Sequence, residues 1–507
     1  MCRDKLYAAT AECNPQQMRR TLFFLLFLFS LSLFAQNGEP LRVELVTEKD
    51  YHDYSYEICG RNGAIVFYKS NLLNKDTANW VILQYDTNLT QTRNTEIHIP
   101  NLAEPISSYY TDNFVHILFQ KDDNRNKSSV WFLLTYQCDS VNTQLLPLAL
   151  TLNEISYIKA YDDYLYCVAN EKKTIGANVV HLPTMEVKGI YLEDYYIEQY
   201  AFLEIDTLNE RLLIGALNFP KVHEALSTFA LIDSDLGFDD YTLKQYPESD
   251  GIWLTGARCA VSDSGDVLLV GTYNHNTEKR LSNLHTGVYA LPYRNGKMGE
   301  IHYYNYSNLK SSNSPSQEKI QNLNLELILG NVFHNNNQFA LVTEVYYPEY
   351  NYNNTYASSF GYYYGYGGYP TTTFAGYHFT HSYITTFDKE GKLVWDNYFP
   401  FNNVITNTLY TKTSVYIDKE NLGYIYYNFG NKITSTLVDK YEVIEPVTSQ
   451  VIVTKYTSDE VEYTRNLQIR NWYDNNFIIC GYQYIKNGSR SKSGKRFVFT
   501  MNKLIYE

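Results

Sequence analysis

A short apolar strand, a tight Asp/Asn/Gly turn and a second apolar strand recur eight times along the chain. In order these are "YEICGRNGAIVFY", "SSYYTDNFVHILF", "SYIKAYDDYLYCVA", "AFLEIDTLNERLLIGAL", "ARCAVSDSGDVLLVGTY", "ILGNVFHNNNQFALVTEV", "SVYIDKENLGYIYYNF" and "LQIRNWYDNNFIICGY". The turns start about 50 residues apart, with one wider gap before the seventh, and a fixed period of that size marks a repeat architecture. Further hairpins follow several of these units, most clearly "WVILQYDTNLTQTRNTEIHI", "VYALPYRNGKMGEIHYY" and "SYITTFDKEGKLVWDNYF". Their Asn-Gly and Glu-Gly steps suit hairpin turns, where positive φ is required.

Four short antiparallel strands per repeat predict a single all-β propeller. No amphipathic helical periodicity opposes it, and a large β-sandwich is the competing architecture. The last unit has three strands, then the chain stops. "PLRVELVTE", Pro40 to Glu48, is an alternating strand standing before the first unit. The two leftovers complete each other, so eight four-stranded blades are expected, closed by the N-terminal strand; seven is the count if one unit is irregular. Tyrosine, 50 of 507 residues, fits this reading because its ring packs well on a half-buried pleated surface.

Arg19 and Arg20, an apolar run from Leu22 to Phe34 and then Ala35-Gln36 have the layout of a secretory signal peptide, with Met18 as an alternative start. The run is shorter than the roughly 20 residues that a membrane span needs. Residues 1–35 are therefore read as a leader and 36–507 as one propeller domain, exported to the periplasm or cell surface of a Gram-negative bacterium. No membrane-spanning segment is expected after cleavage. Beyond the leader, Cys59, Cys138, Cys167, Cys259 and Cys480 are widely spaced; buried thiols are expected rather than a disulfide framework.

"AVSDSGDVLLVGTYN", Ala260 to Asn274, resembles the Asp-x-Gly strand unit of secreted bacterial propeller repeats, and "TFDKEGKLVWDNYF" is similar to a blade of quinoprotein-like propellers. WD, kelch and sialidase Asp-box signatures are absent. The resemblance implies an exported propeller and no particular activity.

Blade connectivity puts the A–B and C–D turns on one face and the B–C and D–A connections on the other. The B–C segments are the long, variable ones, and such loops on a rigid scaffold are where binding resides. The sixth, from about Tyr346 to His381, holds the stretch "SSFGYYYGYGGYPTTTFAGYHFTHSY". Tyr362, Tyr363, Tyr364, Tyr366 and Tyr369 supply flat rings in a Gly-rich setting, a composition suited to recognition. Lys279, Arg280, Arg490 and Arg496 lie in other B–C segments and would add positive charge. The readings of this stretch are a low-complexity loop, a flap over the propeller mouth and a recognition loop.

The net charge of −13 argues against nucleic acid as partner; a protein or glycan is expected. No nucleophile elbow, P-loop, zinc helix or EF-hand loop occurs, and no metal or cofactor is expected. His378 and His381 lack further ligands nearby in sequence, and "DSDLGFDD", Asp233 to Asp240, reads as turn chemistry. Glu193, Asp194 and Asp250 fall in D–A connections and could face the channel mouth. The favoured function is a non-catalytic binding module. The alternative is a polysaccharide hydrolase or lyase using carboxylates gathered at the channel, and a structural surface protein is a third reading.

Overall fold

A computed structural model describes residues 41–47, 54–123, 128–152, 154–171, 174–191, 199–217, 229–246, 251–274, 286–309, 326–335, 338–353, 371–487 and 494–505. It forms eight antiparallel sheets. Blade 1 spans Tyr54–Pro100, blade 2 Ala103–Leu148, blade 3 Tyr157–Tyr191 and blade 4 Gln199–Tyr246. Blade 5 spans Trp253–Asn305, blade 6 Glu326–Thr406 and blade 7 Thr413–Val451. Blade 8 takes three strands from Glu460–Ile505 and its outer strand from Arg42–Thr47, which pairs antiparallel with Lys495–Ile505. The expected eight blades and the N-terminal closing strand are both present. In blade 5 the outer strand is broken into two short pieces, Lys297–Met298 and His302–Asn305.

The reason for this arrangement lies in the strand pattern. B and C strands are covered on both faces by neighbouring blades, so they read as continuous apolar runs; Val267–Asn274 is buried throughout. D strands face solvent, and Glu442–Val451 is exposed along its whole length. Each of the eight seams between blades has its own apolar cluster. The seam between blades 8 and 1 closes the ring: Trp472 packs with Ala64 and Val66, and its indole N–H donates to the Gly63 carbonyl at 3.0 Å.

The turns follow their residues. Asp112 and Asn113, and Asn295 and Gly296, adopt positive φ in pairs, as two-residue hairpin turns require. Gly271 has a different reason: a Cβ there would sit 1.8 Å from the Gly256 carbonyl oxygen. The two main chains approach at the register shift between strands Trp253–Val261 and Val267–Asn274.

In blades 1 and 6 the B–C connection is shorter than expected because the strands continue into it. In blade 1 the ladder reaches Leu72 and resumes at Thr77. In blade 6 it runs to Asn353 and resumes at Thr371, through much of the span read as loop between Tyr346 and His381. Ring pairs extend it there. Tyr346 meets Tyr377 at 5.6 Å, Tyr350 meets Phe374 at 5.7 Å and Tyr347 stacks on His378 at 4.9 Å, and cross-strand aromatic pairs stabilise a ladder.

The N-terminal strand is latched by charge. Arg42 donates to Glu44, Asn502 and Gln483, each at 2.7 Å. Glu44 also accepts from Arg496 at 3.0 Å, and Arg496 reaches Asp459 at 2.5 Å. Burial alone would raise the Glu44 carboxyl, but Arg42 and Arg496 override it and hold Glu44 below its ordinary value.

Candidate functional site at the propeller axis

From blade 1 through to blade 8 the A strand of each blade lies beside the A strand of the next, and that of blade 8 meets the A–B turn of blade 1, so these strands surround the axis. Their sequences carry charge where the packed strands are apolar. Glu57 comes from blade 1, Lys159 from blade 3, Glu204 from blade 4, Arg258 from blade 5 and Arg470 from blade 8. Tyrosines accompany them: Tyr56, Tyr109, Tyr157 and Tyr200. Side chains from five blades converge, since the Tyr157 hydroxyl senses Glu204, Glu57, Arg258 and Arg470 together.

Arg258 is the central cation. Its guanidinium donates to the main-chain carbonyls of Ala201 at 3.1 Å, Ala257 at 3.0 Å and Leu329 at 3.4 Å. Among the described residues no carboxylate forms an ion pair with it. Burial pulls its pKa down despite the surrounding phenols. Beside it, the Tyr289 hydroxyl is buried without a hydrogen-bond partner among the described residues. Arg470 lies 5.4 Å from the centre of the Tyr56 ring and bonds to Gln468 at 3.2 Å.

The two axial carboxylates are engaged. Glu57 accepts from the Ser108 hydroxyl and Glu204 from the Lys159 ammonium, each across a seam. Burial raises Glu57 above the usual carboxylate range. Burial also pushes up the phenols of Tyr56, Tyr109 and Tyr200, and Tyr157 to about 12. These tyrosines therefore remain protonated donors near neutrality. The group presents three cations, two anions and four rings, a small positive excess within an acidic protein.

A second polar group is buried at the seam of blades 6 and 7. Glu344 accepts from the main-chain N–H groups of Lys412 and Thr413 at 2.6–2.9 Å. The Lys412 ammonium has no hydrogen-bond partner among the described residues and lies 3.0 Å from the Tyr410 ring centre and 5.2 Å from that of Phe379. Burial drives Glu344 up to about 7 and Lys412 down to about 7.

Of the residues singled out in the sequence, Tyr362, Tyr363, Tyr364, Tyr366, Tyr369, Lys279, Arg280 and Arg490 lie outside the described residues. So do Glu193, Asp194 and Asp250. Arg496 is described, and its guanidinium is taken up by Glu44, Asp459 and Asn487 in the latch. His381 is buried beside Tyr383 and Tyr398, and burial lowers it to about 3. His378 bonds to Tyr347 and Glu349 instead. In "DSDLGFDD", Asp235 accepts the N–H groups of Asp239 and Asp240 at the C–D turn of blade 4, as turn chemistry requires. Asp233 does something else: it is buried and takes Arg211 and the Tyr293 hydroxyl, lining a cleft of about 430 Å³ between blades 4 and 5.

Sequence reasoning passed over the axial residues. The signal was present as a charged residue inside an otherwise apolar A strand: Glu57 in "YEICG", Lys159 in "YIKAY", Glu204 in "FLEID" and Arg258 in "ARCA".

No protein-family model matches the chain, and no curated protein matches it. Solved structures similar to it include the β-propeller domain of the Trilobed protease from Pyrococcus furiosus. It is 9% identical, covers 80% of this chain and 95% of that one, and has a TM-score of 0.38. The polysaccharide lyase Uly1 is 8% identical over 78% of this chain and 89% of that one, with a TM-score of 0.42. Cobalt-substituted Synechocystis ACO is 9% identical over 50% of this chain and 64% of that one, with a TM-score of 0.28.

Proposed function

We propose that this protein is an exported, non-catalytic propeller that binds an acidic oligosaccharide at its axis. The carrying observation is Arg258, a guanidinium held by three carbonyls with no carboxylate among the described residues to neutralise it. Carbonyl dipoles orient the cation and leave its charge available to an anion. The neighbouring tyrosines supply flat faces for sugar rings and protonated hydroxyls for hydrogen bonds. Arg470, over the Tyr56 ring, adds a second cation. On this reading the B–C face supplies the outer contacts.

Binding is favoured over catalysis because the chemistry of acid and base is already occupied. Glu57 and Glu204 are each bonded across a seam. The axial phenols hold their protons too tightly to act as bases near neutrality.

Calorimetric titration with a uronic-acid oligosaccharide and its neutral analogue tests the proposal. The acidic sugar should bind, more weakly as salt rises, and Arg258→Met should cost about tenfold or more in affinity, the worth of a charged hydrogen bond. Equal binding of both sugars, or full affinity in Arg258→Met, overturns it. Release of unsaturated or reducing ends during the titration would instead support the lyase or hydrolase alternative.

A further inference from the structure

We propose that the cleft between blades 4 and 5 binds a sugar carrying a free amino group, with Asp206 as the anion that receives it. The cleft measures about 430 Å³, within the range of small-molecule sites. It opens among the A–B and C–D turns, on the face away from the B–C connections, and it shares no residue with the axial group.

Three turns build its walls: the A–B turns of blades 4 and 5 and the C–D turn of blade 5. The first two approach closely, since a Cβ at Gly265 would lie 2.8 Å from the Leu208 side chain and 2.9 Å from the Asn209 amide nitrogen. Leu213 and Val267, from the apolar cluster of this seam, supply the apolar surface. An opening of about 410 Å³ occupies the same place between blades 2 and 3, but its lining includes Phe114, Leu133, Leu146, Pro183 and Met185 and no lysine or arginine. The space is a property of the fold, and the polar lining belongs to the seam of blades 4 and 5.

Three carboxylates and two guanidinium groups line the cleft. Asp233 is met by Arg211 at 2.6 Å and by the Tyr293 hydroxyl. Asp266 is met by Arg294 at 3.3 Å, by Lys389 at 3.9 Å and by the Ser264 hydroxyl at 2.8 Å. Asp206 is the anion left over. It is 4% exposed, yet no cation among the described residues forms an ion pair with it. Arg211 stands directly opposite Asp206 in the ladder and turns to Asp233 instead. Asn209 serves the Asp206 carboxylate through its main-chain N–H at 3.1 Å and its side-chain amide at 2.6 Å. Those bonds bring dipoles and no charge. A carboxylate withdrawn from water without a counter-ion is costly, and an ammonium group placed beside it removes that cost.

The rest of the lining fits hydroxyls. An Asp–Arg pair presents donors and acceptors side by side, and Ser264 and Asn295 add one hydroxyl and one amide. The Arg294 Nε–H is buried without a hydrogen-bond partner among the described residues. A bare amine would satisfy Asp206 and leave these groups unused. A neutral sugar would use them and leave the Asp206 charge unanswered. An amino sugar meets both.

The experiment is an NMR titration of the full chain with three disaccharides of one ring skeleton: that of glucosamine, that of glucose and that of N-acetylglucosamine. The aminated sugar should bind about tenfold or more tightly than the other two, the worth of one charged hydrogen bond. That gap should close in Asp206→Asn, which keeps the side chain's size and removes its charge. Ser264→Trp places bulk at an exposed turn position on the cleft and should abolish binding of the aminated sugar with the melting temperature unchanged. No binding of the aminated sugar, equal binding of all three, or a gap that survives in Asp206→Asn overturns the proposal. Full affinity in Ser264→Trp overturns it as well, so the test stands even if Asp206→Asn fails to fold.

Discussion

Glu44→Gln is the sharpest test of how the ring is closed. Glu44 is 2.7 Å from Arg42 and 3.0 Å from Arg496, on the strand that completes blade 8. Two unit charges about 4 Å apart attract by about 4 kcal/mol at an effective dielectric of 20. Two such partners supply about twice that, against several kcal/mol for desolvating each ion, so removing the anion should cost about 3–5 kcal/mol. Glutamine keeps the shape and leaves Arg42 and Arg496 to share Asp459. The loss should also depend on pH. A carboxyl held below its unfolded value contributes stability that is complete above the ordinary carboxylate range, about 4.3. That contribution is lost as pH falls through the lowered folded value. Denaturant unfolding of both proteins at neutral pH and in strong acid reads the difference. A gap below about 1 kcal/mol at neutral pH, the range of a surface pair, refutes the latch. A gap that persists unchanged in strong acid refutes its ionic origin.

Glu344→Gln should behave in the opposite sense. A carboxyl raised from 4.5 to about 7 makes the native state bind the extra proton, so the wild type loses stability as pH rises between those values. The variant should gain on it by up to about 3 kcal/mol across that window; parallel pH–stability curves would reject the assignment. Gly271→Ala should destabilise blade 5 by about 2–3 kcal/mol, because the added methyl meets the Gly256 carbonyl. Thermal melting checks this, and an unchanged melting temperature would mean that the two strands can separate without cost.

The repeat was legible because each of its causes is local. Asn295-Gly296 selects a hairpin turn by its backbone freedom, and continuous runs such as "VLLVGTYN" mark strands covered on both sides. Even ring closure could be read, since a blade lacking a strand and a strand lacking a blade imply each other. Strand lengths were less legible. Tyr346 to Asn353 is rich in polar and turn-forming residues, yet its rings find partners only across the ladder, and that pairing extends the strand.

The axial group shows where local reading ends. Glu57, Arg258 and Arg470 are far apart in the chain, and each is one charged residue in a short strand. Their meeting depends on the ring bringing the first strands of blades 1, 5 and 8 around one axis. By itself the sequence determined the repeat, the turns and the closing strand, because these depend on neighbours within a few residues or on counting strands. The tertiary structure alone decided which charges at the axis meet no carboxylate among the described residues and which are consumed in the latch, because those outcomes depend on distances between blades.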